Sequence, residues 1–333
     1  MNTPEADEPR GTSRPHRSRT RKLLLSILSI LLVIAVGCVG FAGYLAHRWN
    51  SGTQQLNVTE LQSPNAADGP GTNILILGTD TRSEDDPDQA GITGTRSDAI
   101  MVAHIAANGS GVQVVSLPRD LWVPIKGHGE DKLNAAMSYG GANLAVSTIH
   151  DLIGVRIDHV AIIDFEGFRG LTDALGGVDV PVYKEFTSYG RTFPEGLNHL
   201  DGDGALSFVR ARYPFADGDF QRIRNQQAFL KAVISKLVSV GTLTNPVKVT
   251  RAVDQLSPYL TVDDGLDARG MVSLLTKLRG VEISEFRFMT LPTGDPGTSE
   301  DGAEYLTVDE DALSELRTAF TYDTLDRTIQ KMD

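Results

Sequence analysis

The sequence predicts an α/β fold, a layered domain with a largely central sheet, preceded by one transmembrane helix. Three observations predict it. From residue 73 onward, short apolar runs of strand length alternate with longer amphipathic stretches, the pattern of a sheet covered by helices. Leu23 to Ala46 is an uncharged stretch, long enough at 1.5 Å per residue to cross a hydrocarbon core of about 30 Å. Across the 333 residues, 41% hydrophobic and 22% charged side chains are ordinary for a globular chain.

Taken in order, residues 1–22 form a basic tail. Arg10, Arg14, Arg17, Arg19, Arg21 and Lys22 outweigh Glu5, Asp7 and Glu8, and no apolar period suggests a fold. The spanning segment is placed at 23–47. Its basic N-terminal flank predicts a cytoplasmic tail and an extracellular domain, and Tyr44 and Trp49 suit an interfacial aromatic belt. A cleaved signal peptide has a shorter apolar core, so a retained anchor is favoured. Residues 48–71 read as a linker and 72–325 as one domain, undivided by any low-complexity stretch.

Within that domain Asn73–Leu77 reads as a strand that ends in a polar turn at Asp80. A second strand starts at Ser97-Asp98, and Val112–Leu117 is a third, closed by Pro118. Helices are expected at Lys132–Tyr139 and Ala142–Ile153, divided by glycine at 140. Strands follow at Ile157–Phe165 and Gly177–Val182, then a helix from Asp201 up to the arginines. Asp219 is expected to cap a helix reaching Val240. Segments Val247–Leu256 and Asp267–Leu278, a strand Glu285–Leu291 and a helix Asp309–Phe320 complete the list.

The composition excludes several chemistries. Cys38 is the sole cysteine, so there is no intramolecular disulfide or Cys-X-X-Cys zinc site, and no His-Glu-X-X-His pair occurs among the seven histidines. No nucleophile elbow, Walker loop or dinucleotide fingerprint is present. Asp201-Gly-Asp-Gly lacks the fifth-position ligand of a calcium loop and reads as a turn. A net charge of -12 argues against nucleic acid as a partner.

What remains is a set of charges at strand ends. Arg210, Arg212, Arg222 and Arg224 crowd one short stretch, and Arg119 follows the third strand. Guanidinium forks match phosphate oxygens, although charge runs are also common on solvated faces. On a helix from Asp219, Arg222 falls roughly 80° from the apolar stripe and Arg224 roughly 120°, nearer solvent. Asp80 and Asp98 could hold a divalent cation, or cap a turn and pair with Arg96. Asp120 is a candidate partner for Arg119, and Asp217 and Asp219 could orient guanidinium groups or shape the loop.

Assembled, these pieces resemble the LytR-CpsA-Psr family. The resemblance rests on Asn-Ile-Leu-Ile-Leu-Gly-Thr-Asp-Thr-Arg, Arg-Ser-Asp-Ala-Ile, Val-Ser-Leu-Pro-Arg-Asp, Lys-Leu-Asn-Ala-Ala, Val-Arg-Ala-Arg and Gly-Asp-Phe-Gln-Arg-Ile-Arg, in order over about 73–235. It implies a three-layer α-β-α sandwich around a central mixed sheet, in a membrane-anchored enzyme outside the plasma membrane. Such an enzyme moves a glycopolymer from a polyprenyl-pyrophosphate carrier to peptidoglycan, and holds the lipid in an apolar pocket. Carried over by motif, Asp80 and Asp98 would hold Mg²⁺, with Mn²⁺ as the alternative, and one of them could serve as base. Arg119, Arg210, Arg212 and Arg222 would bind pyrophosphate, with Arg96 and Arg82 in support. Ala99–Ala106 and the helix after Asp219 would line the lipid cavity. The loop Tyr213-Pro-Phe-Ala departs from the more polar family pattern, and 241–333 carries no matching motif. The rival readings are a pyrophosphatase using water as acceptor and a non-catalytic wall-polymer tether or regulator.

Overall fold

The computed structural model describes residues 40–62, 70–80, 96–212, 215, 218–238, 246–278 and 281–332. The chain divides into a unit up to Leu45, whose described residues 40–45 are helical, and a second unit, Ala46–Asp333. The basic tail and most of the apolar segment lie outside the described residues. Among the described residues no helix is long and apolar enough to cross a membrane.

In the second unit seven strands form a mixed sheet among the described residues. They are β1 (Gln54–Leu56), β2 (Thr72–Thr79), β3 (Ser97–Ile105), β4 (Val112–Ser116), β7 (His159–Asp164), β12 (Thr261–Asp263) and β13 (Phe286–Thr290), in the order β1-β12-β7-β2-β3-β4-β13. Hairpins fill the numbering between them: β5 (Trp122–Ile125) with β6 (Gly129–Lys132), β8 (Val178–Val182) with β11 (Gly196–Leu200), and β9 (Phe186–Ser188) with β10 (Arg191–Phe193). β14 (Thr293–Thr298) and β15 (Glu304–Val308) form another.

Alternation explains how both faces are covered. Side chains on a strand point to opposite faces with period two. Leu75, Leu77, Ile100 and Val102 pack with helices α1 (Ala135–Ile153), α7 (Glu310–Thr321) and α8 (Leu325–Met332). Ile74, Ile76, Met101 and Ala103 pack toward α6 (Ala268–Lys277) and Leu230 of α4 (Gly218–Val238). A third cluster joins β8 to α3 (Gly202–Val209) and α4. Helices α2 (Phe165–Ala174) and α5 (Pro246–Leu256) complete the set.

Most predicted elements appear, and their ends have local causes. Asp164, Asp201 and Asp309 each accept a hydrogen bond from a backbone N–H one turn inside α2, α3 and α7. Asp201-Gly-Asp-Gly is therefore a helix start. Gly140 and Gly141 leave helical geometry, so α1 consists of two helices divided there, as expected; the first begins at Ala135, because Lys132 belongs to β6.

Three expectations are corrected. The stretch 48–71 is more than a linker: β1 pairs in parallel with β12, and Trp49 is buried with its Nε1 donating to Leu266 O at 2.9 Å. The domain does not stop at 325, because Leu325 and Ile329 of α8 are buried in the core. The helix at Asp219 begins at Gly218, so Asp219 lies inside its first turn.

One buried polar link fastens the C-terminus to the sheet. His104 on β3 is 1% exposed, with Nδ1 2.7 Å from Asn73 Oδ1 and Nε2 2.8 Å from Asp323 Oδ1. Asn73 is itself oriented by donating Nδ2 to Arg156 O. His104→Ala leaves two buried acceptors unpaired and a void beside Phe320. It should cost about 3 kcal/mol, read as a lowered urea midpoint at unchanged slope, without loss of ligand binding at the distant strand ends.

Candidate functional site

Strand directions bring the charged loops together. β2 runs antiparallel to β3 and parallel to β7, and β4 runs antiparallel to β3. The C-terminal ends of β2, β4 and β7 and the start of β3 therefore share one edge of the sheet, where open α/β sheets place ligands. Thr79 pairs with both Ser97 and Asp164, and Ser116 with Met101. Asp80, Asp98 and Arg119 are thus delivered to the same edge.

A cavity of about 400 Å³ opens there. Its interior is apolar, with Ile76, Met101, Ile163, Phe168, Phe229 and Val233, while Asp98, Arg119, Arg210, Arg212 and Arg222 stand in its lining. Helix geometry accounts for the α4 contribution. Arg222, Gln226, Phe229 and Val233 recur at helical spacing on one face. Of the expected strand lining, Ala99 and Met101 reach the cavity; Ile105 packs in the core cluster behind it.

The guanidinium groups are held by carboxylates and by each other's neighbours. Arg119 Nη1 donates to Asp98 Oδ1, and its Nε lies 3.4 Å from Asp120 Oδ2 and 3.5 Å from Asp219 Oδ2. Asp219 also sits 2.9 Å from Arg212 Nε and accepts from Arg222 Nη2 at 2.7 Å. Lys132 Nζ is 3.2 Å from Asp120 Oδ1. Asp219 is thus the common partner of three arginines that come from two loops and one helix. Its carboxylate is engaged in ion pairs inside the first turn, away from the expected capping role.

Electrostatics follow from this packing. Burial opposes the charge on Arg119, yet Asp98, Asp120 and Asp219 together raise its pKa above the ordinary arginine value. Burial, then the neighbouring Arg119, lowers the pKa of Arg222, against the pull of Asp219. Burial tends to raise the Asp120 carboxyl, but Arg119 and Lys132 outweigh it and hold the group below its usual range. Arg119 Nε and Arg222 Nε are buried and make no hydrogen bond. Four guanidinium groups line a cavity whose neighbours supply three carboxylates. Such a mouth favours an anion.

Arg210 is held differently. Its guanidinium lies 4.5 Å from the ring centroid of Phe165 and 4.9 Å from that of Tyr189, a cation–π sandwich. It forms no ion pair among the described residues. Tyr189 has φ 48° and Gly190 φ 73°, as a two-residue turn between β9 and β10 requires. A tyrosine in the left-handed region is disfavoured by roughly 1–2 kcal/mol, and here its ring orders a site arginine. Tyr189→Gly is expected to raise the stability of the domain by about 1 kcal/mol while weakening anion binding several-fold. Paired thermal melts and phosphate titrations would show the two effects moving in opposite directions.

Asp80 and Arg96 meet beside the cavity without lining it. Asp80 N donates to Arg96 O at 3.1 Å, and Arg96 N donates to Asp80 Oδ1 at 2.9 Å. The Arg96 side chain is exposed, and it does not join the guanidinium group expected of it. Arg82, Tyr213, Pro214 and Asp217 lie outside the described residues. Gln226, Lys132, Phe165 and Tyr189 belong to the site although their types gave little warning. Gln226 could have been found, because it stands one turn after Arg222 on the same helix face.

An apolar cavity lined by four guanidinium groups beside the strand ends suits an amphiphilic anion. The chain belongs to the LytR-CpsA-Psr family, whose model, LytR_cpsA_psr, matches residues 46–321. It is similar to the cell wall biosynthesis protein LcpA of Corynebacterium glutamicum, 31% identical over 293 residues, covering 75% of this chain and 55% of the relative. It is also similar to the polyisoprenyl-teichoic acid–peptidoglycan teichoic acid transferase TagU of Bacillus anthracis. That match is 37% identical over 197 residues, covering 59% of this chain and 62% of the relative. The chain therefore spans less than two thirds of these relatives' length. Among solved structures, B. subtilis TagV superposes with a TM-score of 0.65 at 25% identity, covering 78% of this chain and 99% of that one. TagT bound to LI-WTA shares the fold, with a TM-score of 0.62 at 24% identity, covering 80% and 98%.

Proposed function

We propose that the chain is a membrane-anchored transferase that moves a glycopolymer from a polyprenyl-pyrophosphate carrier to peptidoglycan. One observation carries this reading: a single cavity is lined both by apolar side chains and by four arginines, the chemistry of a lipid tail joined to a pyrophosphate. The transferase activity for which the TagU relative is named supports it. The basic tail and apolar segment at 1–46 support an N-terminus in the cytoplasm and a domain outside.

In the reaction, an acceptor sugar hydroxyl attacks the phosphorus that bears the polymer. A new P–O bond forms to the acceptor, the bond to the bridging pyrophosphate oxygen breaks, and polyprenyl phosphate leaves. Arg119, Arg210, Arg212 and Arg222 bind the phosphates and stabilise the charge that grows on the leaving oxygen. Asp219 keeps three of them aligned. The acceptor proton passes to Asp98 or Asp80.

We assign Mg²⁺ to the same two carboxylates. One oxygen of each is engaged, Asp80 Oδ1 by Arg96 N and Asp98 Oδ1 by Arg119. No group of three or more His, Cys, Asp or Glu side chains suited to a metal occurs among the described residues. Mg²⁺ commonly takes one or two carboxylates and completes its shell with water and phosphate; bound here it would supply charge against the phosphate oxygens. The test is to incubate the chain with carrier-linked glycopolymer, with and without peptidoglycan. Covalent attachment of polymer to the wall fraction together with release of polyprenyl phosphate is expected. Release that is equal with and without the wall acceptor, and no attachment, would replace this reading with a pyrophosphatase.

A further inference from the structure

A second cavity, of about 260 Å³, lies along another flank of α4. At 100° per residue, Gln221, Arg224, Asn225 and Ala228 face a direction about 120° around the helix from Arg222, Gln226, Phe229 and Val233. One helix therefore walls both cavities. Arg222 and Arg224 are two residues apart, or ~3 Å along the axis.

The lining is unlike that of the first cavity. Phe186 and Phe215 meet edge to face at 4.9 Å between centroids, and Phe208 lies 5.9 Å from Phe186. Against these rings runs a polar relay. Arg224 Nη2 donates to Gln221 Oε1 at 2.7 Å, Gln221 Nε2 to Asn225 Oδ1 at 2.9 Å, and Asn225 Nδ2 to Phe208 O at 3.1 Å. Asn225 is 4% exposed, whereas Tyr183 at the rim is 84% exposed. Lys184 is also at the rim. The volume lies below the ~300–1,000 Å³ of sites for larger ligands, so a lipid chain is too big and a single sugar ring is suitable. Aromatic faces suit the C–H faces of a pyranose, while amide and guanidinium groups suit its hydroxyl and N-acetyl oxygens.

We propose that this second cavity seats one N-acetylated amino-sugar residue of a wall glycan, beside the pyrophosphate held on the Arg222 face. This rests on the transferase reading above. The same chemistry is present in the acceptor strand and in the carrier-linked polymer. Saturation-transfer NMR on the full chain with chitotetraose, and with muramidase-digested peptidoglycan, tests the seat directly. Tyr183→Ala and the cavity-filling Ala228→Leu are expected to weaken binding at least tenfold. Both should leave the rate of polyprenyl phosphate release at saturating donor and acceptor within twofold of the parent.

Kinetics then assign the source. A raised KM for peptidoglycan alone identifies the acceptor strand, and a raised KM for the carrier-linked donor alone identifies the polymer. Either result supports the seat. Variants that bind glycan as the parent does, or a parent that binds neither probe, overturn it. A parent that binds glycan through this cavity yet releases no polyprenyl phosphate would sink the transferase reading and leave the seat standing.

Discussion

Arg119→Ala is expected to lower the transfer rate by on the order of 10²–10³, the usual cost of removing one charge-stabilising donor. The surroundings of Arg119 argue for the upper end of that range. Its guanidinium touches Asp98 and lies within 3.5 Å of Asp120 and Asp219. Alanine deletes a donor to the phosphate and also leaves three carboxylates facing the incoming anion. Arg119→Lys restores the charge without the planar fork, so it should recover part of the loss, through KM more than kcat. The side chains of Arg119 and Asp98 are 18% and 24% exposed, which keeps the stability cost to roughly 1–3 kcal/mol. A variant that melts within this range yet transfers polymer within threefold of the parent would remove Arg119 from the mechanism.

Much of this site is legible in the sequence, for a definite physical reason. A buried strand must stop where its apolar run stops. The polar residues just beyond Leu77 and Leu117, and just before Ala99, therefore mark one edge of a sheet once strand directions are known. The directions themselves are not readable from alternation, so convergence needed the fold. Arg222 against Arg224 was separable because helical period fixes which side chain meets the core, and Arg222 is indeed 6% exposed.

Other features left no such mark. An aspartate near a helix start looks the same whether it caps the turn or binds arginines, so the role of Asp219 waited for Arg119 and Arg212 to arrive from distant segments. The Arg210 sandwich is assembled from Phe165 and Tyr189, some 45 and 21 positions upstream. β1 is only Gln-Gln-Leu and mostly exposed, so nothing in its composition distinguishes an edge strand from a linker. β14, Thr-Gly-Asp-Pro-Gly-Thr, has the residues of a turn and is held as a strand by pairing with β15.

Asp219→Ala should be the most damaging single change that touches no substrate atom. The carboxylate is 2.9 Å from Arg212 Nε and 2.7 Å from Arg222 Nη2, and its side chain is 13% exposed. Without it, Arg222 keeps its burial and its repulsion from Arg119, the causes already lowering its pKa, and loses the adjacent counter-charge. Breaking this pair is expected to cost about 3 kcal/mol of stability. The clamp should also lose its alignment, with donor KM rising at least tenfold and kcat falling about 10²-fold, since small misplacements at a reacting centre are costly. Because Asp219 acts through the arginines, its effect should not add to theirs. Arg212→Ala in the Asp219→Ala background should cost little more than Asp219→Ala alone, whereas an unrelated pair would add within about 0.5 kcal/mol. Full additivity in that double-mutant cycle, measured on donor binding as well as turnover, would mean that Asp219 serves the helix and has no part in the clamp.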